Sequence, residues 1–307
     1  MTRVAFLWHM HQPFYQDLAT GEHILPWVRL HALKDYWGMV TMLREFPSIR
    51  VTFNLVPSLL VQLEAFANEG AQDRHLQIGM KPADALADDE RAFCVEQFFH
   101  AHRPRMIDPY PRYAELFARR EESRAGSRGV VPAVQFTTEE LRDLQVWHKL
   151  VWIDHWYHQH DERIRGLVAR GRGFTEADKV TLREVEIELL RRVVPEYRDA
   201  AAREQVELST SPFYHPILPL LCDTDVHFRA HPDSPLAKAC FQHPEDADPV
   251  PVLAPGVIVE IGNARRQQPL VDRGSAGEIE PVVILGELPI FQIERHHQGE
   301  PLALRPF

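Results

Sequence analysis

The chain opens on a short apolar run, Val4-Ala5-Phe6-Leu7-Trp8, which breaks into polar side chains at His9-Met10-His11-Gln12-Pro13. A run without alternation reads as a strand covered on both faces. His9 and His11 are two apart, so on an extended chain both side chains point the same way. Pro13 stops the strand from continuing in a central position. From His31 onward, Leu33, Trp37, Val40, Leu43 and Phe46 recur at helical spacing until Pro47. Residues 50–56 predict a second strand, and Pro57-Ser58 leads into a helix carrying Leu59, Leu60 and Leu63. Strand, helix, strand, helix is the order of a parallel sheet.

The alternation then stops. Between about residues 60 and 202 the spacing predicts helices over 89–101, 113–121, 138–154, 161–170 and 175–194, each opening near an Asp, Thr or Ser able to cap it. The last of them is expected to end near Pro195. The Gly and Arg run over 124–129 reads as an exposed linker within this helical insertion. A third strand is expected over 205–210. In the stretch behind it, Pro212, Pro216 and Pro219 rule out a regular helix or central strand, as suits the rim of a binding site. From about Asp248 prolines spread through the tail and Lys is absent. Residues 257–261 and 281–285 have strand character, but no amphipathic helix separates them.

Composition narrows the partners. At 307 residues and 45% hydrophobic content the chain has enough apolar material for a full core. A net charge of -10 argues against a nucleic-acid backbone or an anionic membrane surface. Cys94, Cys222 and Cys240 are odd in number and far apart, which predicts neither a disulfide framework nor a cysteine zinc site and fits a reducing cytoplasm. Residues 1–3 run straight into the first strand without a secretory segment, and no apolar run is long enough to span a bilayer.

His9 and His11 admit three roles: sugar or substrate contact, metal ligation, or structural hydrogen bonding. A metal would need more ligands from other strand ends. Asn54 is a poor one, whereas Glu207 or His215 would serve. Glu207 lies between Val206 and Leu208. There it either has a partner or a function, or it faces solvent from a half-buried edge strand. Arg29, His31, Asp35 and Tyr36 form either a polar cluster near the first strand or a solvated helix face. His100, His102, His148, His155, His158 and His160 are expected at surface helix positions rather than around a metal.

Three stretches in order carry a resemblance. They are Trp8-His9-Met10-His11-Gln12-Pro13, Thr52-Phe53-Asn54-Leu55-Val56-Pro57-Ser58-Leu59-Leu60, and Val206-Glu207-Leu208-Ser209-Thr210-Ser211-Pro212-Phe213-Tyr214-His215-Pro216-Ile217-Leu218-Pro219-Leu220-Leu221. Together they resemble the N-terminal part of glycoside hydrolase family 57, over roughly residues 1–245. The resemblance implies an α/β fold: an incomplete (β/α)7-barrel-like glycosidase fold with a large helical insertion. It implies chemistry on α-glucans, as in an amylase, 4-α-glucanotransferase or branching enzyme, with retention of configuration and without a cofactor or metal. It places His9 and His11 in the donor-sugar pocket and Glu207 in contact with sugar there. Gln12, Asn54, Tyr214 and His215, inside the same stretches, join them as expected substrate-binding residues.

Retaining chemistry needs two carboxyl groups about 5–5.5 Å apart. In the resembled family the nucleophile is a Glu on the next barrel strand, in a Trp-containing motif, and the acid/base is a later Asp. Here no Trp follows Trp156, and Glu260 and Glu287 lack those surroundings, so no catalytic residue is assigned. The expected organisation is the N-terminal part of a barrel over 1–247 and a divergent, Pro-rich tail over 248–307, read as a frameshift or a misjoined gene end. The function expected is that of a carbohydrate-active protein of the retaining α-glucan type, catalytically incomplete. The alternatives are a metal-dependent, deacetylase-like barrel hydrolase using His9 and His11, and a non-catalytic glucan-binding protein.

Overall fold

A computed structural model describes residues 4–126, 136–213, 222–235, 242–243, 291–293 and 304–306. Its centre is a three-stranded parallel sheet of β1 (Leu7–Met10), β2 (Val51–Leu55) and β3 (Val206–Ser209), in that order. The register sets Trp8 beside Phe53 and His9 beside Asn54, then Phe53 beside Leu208 and Asn54 beside Ser209. Alternation therefore sorts the sheet into two faces. One carries Met10, Val51, Phe53, Leu55 and Val206, all buried. The other carries Leu7 and His9 from β1, Thr52 and Asn54 from β2, and Glu207 and Ser209 from β3.

Helices cover the apolar face. The chain between β1 and β2 forms α1 (Trp27–His31), a π-helical segment (Ala32–Tyr36), α2 (Trp37–Thr41) and a 3-10 turn (Met42–Glu45). Leu33, Trp37, Val40 and Leu43 are buried, as the spacing predicts, but Phe46 is half exposed because the helical path has ended before it. After β2 come α3 (Pro57–Asn68), α4 (Arg74–Met80), α5 (Asp88–Gln97), α6 (Pro111–Gly126), α7 (Thr138–Leu150), α8 (His155–His160), α9 (Glu162–Arg170) and α10 (Glu176–Ala202). Side-chain caps start several of them: Asp73 accepts from Leu76 N, Thr137 from Glu140 N, and Thr175 from Asp178 N. The helices at the two ends of this run, α3 and α10, pack on each other, and α10 also packs on α2 and β3.

Two expectations are corrected here. The last helix does not end at Pro195 but continues to Ala202. An interior proline forfeits one backbone hydrogen bond, and tertiary contacts beyond it outweigh that loss. Tyr197 is buried edge-on against Phe53 at 5.1 Å, its hydroxyl donates to Tyr36 O, and Arg44 makes a bidentate pair with Glu196. The first strand, in turn, is not covered on both faces: Leu7 and Trp8 are 52% and 48% exposed. Among the described residues β1 is an edge strand, and on the sheet's second face Leu7, His9 and Glu207 are exposed while Thr52, Asn54 and Ser209 are half-buried. The expected strands at 257–261 and 281–285 lie outside the described residues. In the tail two short strands, β4 (Phe291–Ile293) and β5 (Leu304–Pro306), pair antiparallel.

Gly38 marks a close approach between α2 and the start of α8. A Cβ at this position would collide with the carboxylate of Asp154, which is buried and caps α8 by accepting from Trp156 N. Gly38→Ala gains about 1 kcal/mol of helix propensity. The displaced cap and the overpacking cost about 1–3 kcal/mol, so the net expected result is a lower Tm. An unchanged or higher Tm would mean that Asp154 swings aside without loss.

Candidate sugar-binding site at the sheet's C-terminal end

The polar face of the sheet carries the site. His9, Asn54 and Ser209 form one row across the three strands, because the register aligns them. His9 Nδ1 donates to Asn54 Oδ1 at 2.8 Å, and Asn54 Nδ2 donates to Ser209 Oγ at 3.1 Å. Ser211 Oγ, one alternation further along, also donates to Asn54 Oδ1, at 3.1 Å. These bonds fix the Asn54 amide, whose oxygen takes two donors and whose nitrogen gives one. They also fix the neutral His9 ring as the Nδ1–H tautomer, which makes Nε2 its acceptor. The His11 ring lies parallel to that of His9, with centroids 5.8 Å apart and planes 8° apart. The strand alternation and the His-x-His spacing together account for this stack.

The turn after β1 is held by α3. Ser58 Oγ donates to Gln12 O, Gln62 Nε2 donates to Pro13 O, and Tyr15 N donates to Gln62 Oε1. Pro57 at the first helical position and Ser58 beside it bring α3 under the turn directly from β2. The Gln12 side chain spans two phenols, donating to Tyr36 OH at 3.0 Å and accepting from Tyr15 OH at 3.1 Å. Burial pushes the Tyr36 phenol up to about 12, so it stays protonated across the neutral range. Tyr36 closes the π-helical segment. Such single-turn widenings are frequent at functional sites because they re-aim side chains.

Of the residues expected at the site, His9 and Asn54 are hydrogen-bonded and His11 stacks on His9, whereas the Gln12 side chain turns to Tyr15 and Tyr36. Glu207 stands on the same face, one alternation before Ser209 and beside Thr52, and is exposed. Tyr214 and His215 lie outside the described residues. Tyr15, Ser58, Gln62, Ser209 and Ser211 were not singled out from the sequence, and Tyr36 was considered only within a polar cluster with Arg29, His31 and Asp35. The two serines had a signal, since residues 207, 209 and 211 alternate onto one face. Tyr15 and Gln62 had none, because their roles depend on long-range packing.

The polar cluster considered for Arg29, His31, Asp35 and Tyr36 divides in two. His31 Nδ1 donates to Asp35 at 3.1 Å and its ring stacks on Tyr36, on the side of the site. Arg29 turns into the core and pairs with Asp73. His148 is not on the surface as expected but buried, stacked on Phe98 at 4.5 Å. Among the described residues no group of three or more His, Cys, Asp or Glu is arranged to hold a metal ion.

The pattern over these elements matches the model of glycosyl hydrolase family 57 across residues 5–241. The chain belongs to that family. No curated protein and no solved structure matches it. Family 57 membership covers all three strands, the turn after β1 and every helix from α1 to α10. It makes this a chain of a glycoside hydrolase family, a family that implies a barrel-like fold; the described residues are mostly helical around a three-stranded parallel sheet. No described helix is long and apolar enough to cross a membrane.

Proposed function

We propose that the row of His9 and Asn54, with His11 and Glu207 beside it, holds one sugar residue of an α-glucan. The observation that carries this reading is the hydrogen-bonded sequence His9–Asn54–Ser209 on the polar face of three parallel strands. Ligands of parallel α/β sheets bind at the strands' carboxyl ends. Imidazole, amide and carboxylate groups held in fixed orientations suit the vicinal hydroxyls of a sugar, each of which donates and accepts. Gln12, held by Tyr15 and Tyr36, fixes the turn that carries His11.

Retaining chemistry requires a carboxylate nucleophile and a separate acid/base, and residues 1–247 supply no pair with the family's surroundings. The proposed activity is therefore binding of α-glucan without turnover by this chain. Calorimetric titration with maltooligosaccharides, alongside a hydrolysis and transfer assay, tests it. Binding without products is expected, and Asn54→Ala should weaken it by roughly tenfold or more, since it frees both the His9 tautomer and the Ser209 contact. Products would show that a nucleophile is present, and absence of binding would sink the reading. A metal-dependent hydrolase using His9 and His11 would instead purify with stoichiometric zinc that His9→Ala removes.

A further inference from the structure

The chain beyond β3 carries two histidines that the sugar row does not use. A short helix, α11 (Val226–Ala230), is closed by His231. His231 N donates to His227 O at 2.9 Å, the bond of one helical turn. His227 and His231 are therefore neighbours on one face, with ring centres 5.0 Å apart and planes tilted by 33°. The chain then turns back on the pair. Ser234 N donates to His231 O at 3.1 Å, and Ser234 Oγ stands 2.9 Å from His227 Nε2. His227, His231, Asp233 and Ser234 line one open cavity of about 500 Å³.

Two histidines at i and i+4 on one helical face are a recurrent zinc-binding pair. A metal about 2.0–2.1 Å from one nitrogen of each ring sits roughly 3.2 Å from each ring centre, which at tetrahedral angles sets the centres roughly 5 Å apart. The spacing found here already meets that requirement. His231 is exposed, and among the described residues no hydrogen bond holds either nitrogen of its ring. The Ser234 hydroxyl can rotate, so a metal on His227 Nε2 would replace one partner and keep the oxygen close by. Asp223, Asp225 and Asp233 flank the pair against Arg229 alone, so the local field favours a cation. Asp233 shares the cavity but is not placed as a third ligand, which leaves the remaining positions to water.

We infer that His227 and His231 chelate a divalent transition cation of the zinc class. Imidazole donors select zinc, copper and nickel over magnesium and calcium, which prefer oxygen. The cation takes no part in the sugar row and the inference does not depend on that row. Its role is that of a clip. It binds only when α11 is formed, because that turn brings the two rings together, and so it stabilises the folded helix and the turn behind it by mass action.

Titration of the metal-stripped whole chain with zinc, in competition with a chromophoric chelator, tests this. Wild type should take up one zinc at this site, and excess magnesium or calcium should not displace it. His231→Ala should weaken that uptake by roughly a hundredfold, because a single imidazole loses the gain of chelation, and His227→Ala should do the same. Affinity should also fall in mild acid, since an imidazole must be neutral to ligate. His9→Ala should leave it unchanged, which separates this site from a metal held at the sugar row. His231 is exposed, so the metal-free melts of wild type and His231→Ala should coincide and show that the fold is kept. A wild-type chain that binds no zinc, or a His231→Ala chain that binds it as tightly as wild type, overturns the inference. So does zinc that is lost in His9→Ala and kept in both other variants.

Discussion

Glu186→Gln is expected to destabilise the folded chain by about 3–5 kcal/mol, the range for removing one partner of a buried ion pair. Glu186 is fully buried on α10 and faces three cations. Lys149 Nζ lies 3.0 and 3.1 Å from its two oxygens, Arg183 Nη1 is at 3.2 Å, and Arg29 Nη1 is at 3.7 Å. Burial alone would push its carboxyl up, but Lys149, Arg29 and Arg183 together hold it below the usual carboxylate range. Arg29 has a second partner, a bidentate pair with Asp73 at 2.7 and 3.0 Å, and survives the change paired. Lys149 does not.

Burial has already drawn the Lys149 ammonium down to about 8, so part of the cost is met by its losing a proton. The double variant Lys149→Met with Glu186→Leu removes both charges together. It should therefore lie within about 2 kcal/mol of wild type, since a buried pair replaced by apolar groups is often neutral. Urea unfolding of the three proteins measures both figures. A loss below about 1 kcal/mol for Glu186→Gln would mean that water reaches the cluster and screens it.

Stability should also fall steeply between pH 6.5 and about 4. Burial pulls His75 down to about 4 from its ordinary 6.5 and holds His148 and His23 below theirs. In the folded chain these rings stay neutral where the unfolded chain takes up protons. The unfolded state therefore binds more protons throughout that window, and stability declines as pH drops through it. His75 alone contributes about 3 kcal/mol to this decline, from its shift and 1.36 kcal/mol per unit. Neither ring nitrogen of His148 has a hydrogen-bond partner among the described residues, and His75, Arg29, Lys149 and His100 all disfavour its charging. His148→Leu should flatten the slope in urea midpoints taken at pH 7, 5.5 and 4.5. An unchanged slope would place the acid sensitivity elsewhere. The depressed carboxyls of Asp73 and Glu186 act in a second, lower window, where their ion pairs are lost as pH falls through their folded values.

The sheet was legible in the sequence because each strand carries its own signal. Val51, Phe53 and Leu55 alternate with Thr52 and Asn54, and burial follows that alternation. The order strand, helix, strand also put His9 and Asn54 at the ends of two strands of one parallel sheet. What was not legible depends on contacts far apart in the chain. A π-helical segment differs from an α-helix by one residue per turn, too little for an apolar pattern to register. Tyr36 and Gln12 meet across 24 positions, and Arg29, Asp73, Lys149 and Glu186 meet from four separate helices or caps. Pro195 was misleading for the same reason, since Tyr197 and Glu196 keep the helix going through partners in other elements.

The π-helical segment Ala32–Tyr36 sets the angular phase between the aromatic cluster of Trp27, His31 and Trp152 and the contact of Tyr36 with Gln12. A π turn is an α turn carrying one residue too many, so deleting one residue there restores the α path. Everything on the N-terminal side would then rotate by about 100° relative to Tyr36, the angle of one residue at 3.6 per turn. Trp27 and His31 would leave Trp152, while Tyr36 would still hold Gln12. A single in-frame codon thus separates a chain in which Val28, Arg29 and Leu30 face the core from one in which they do not.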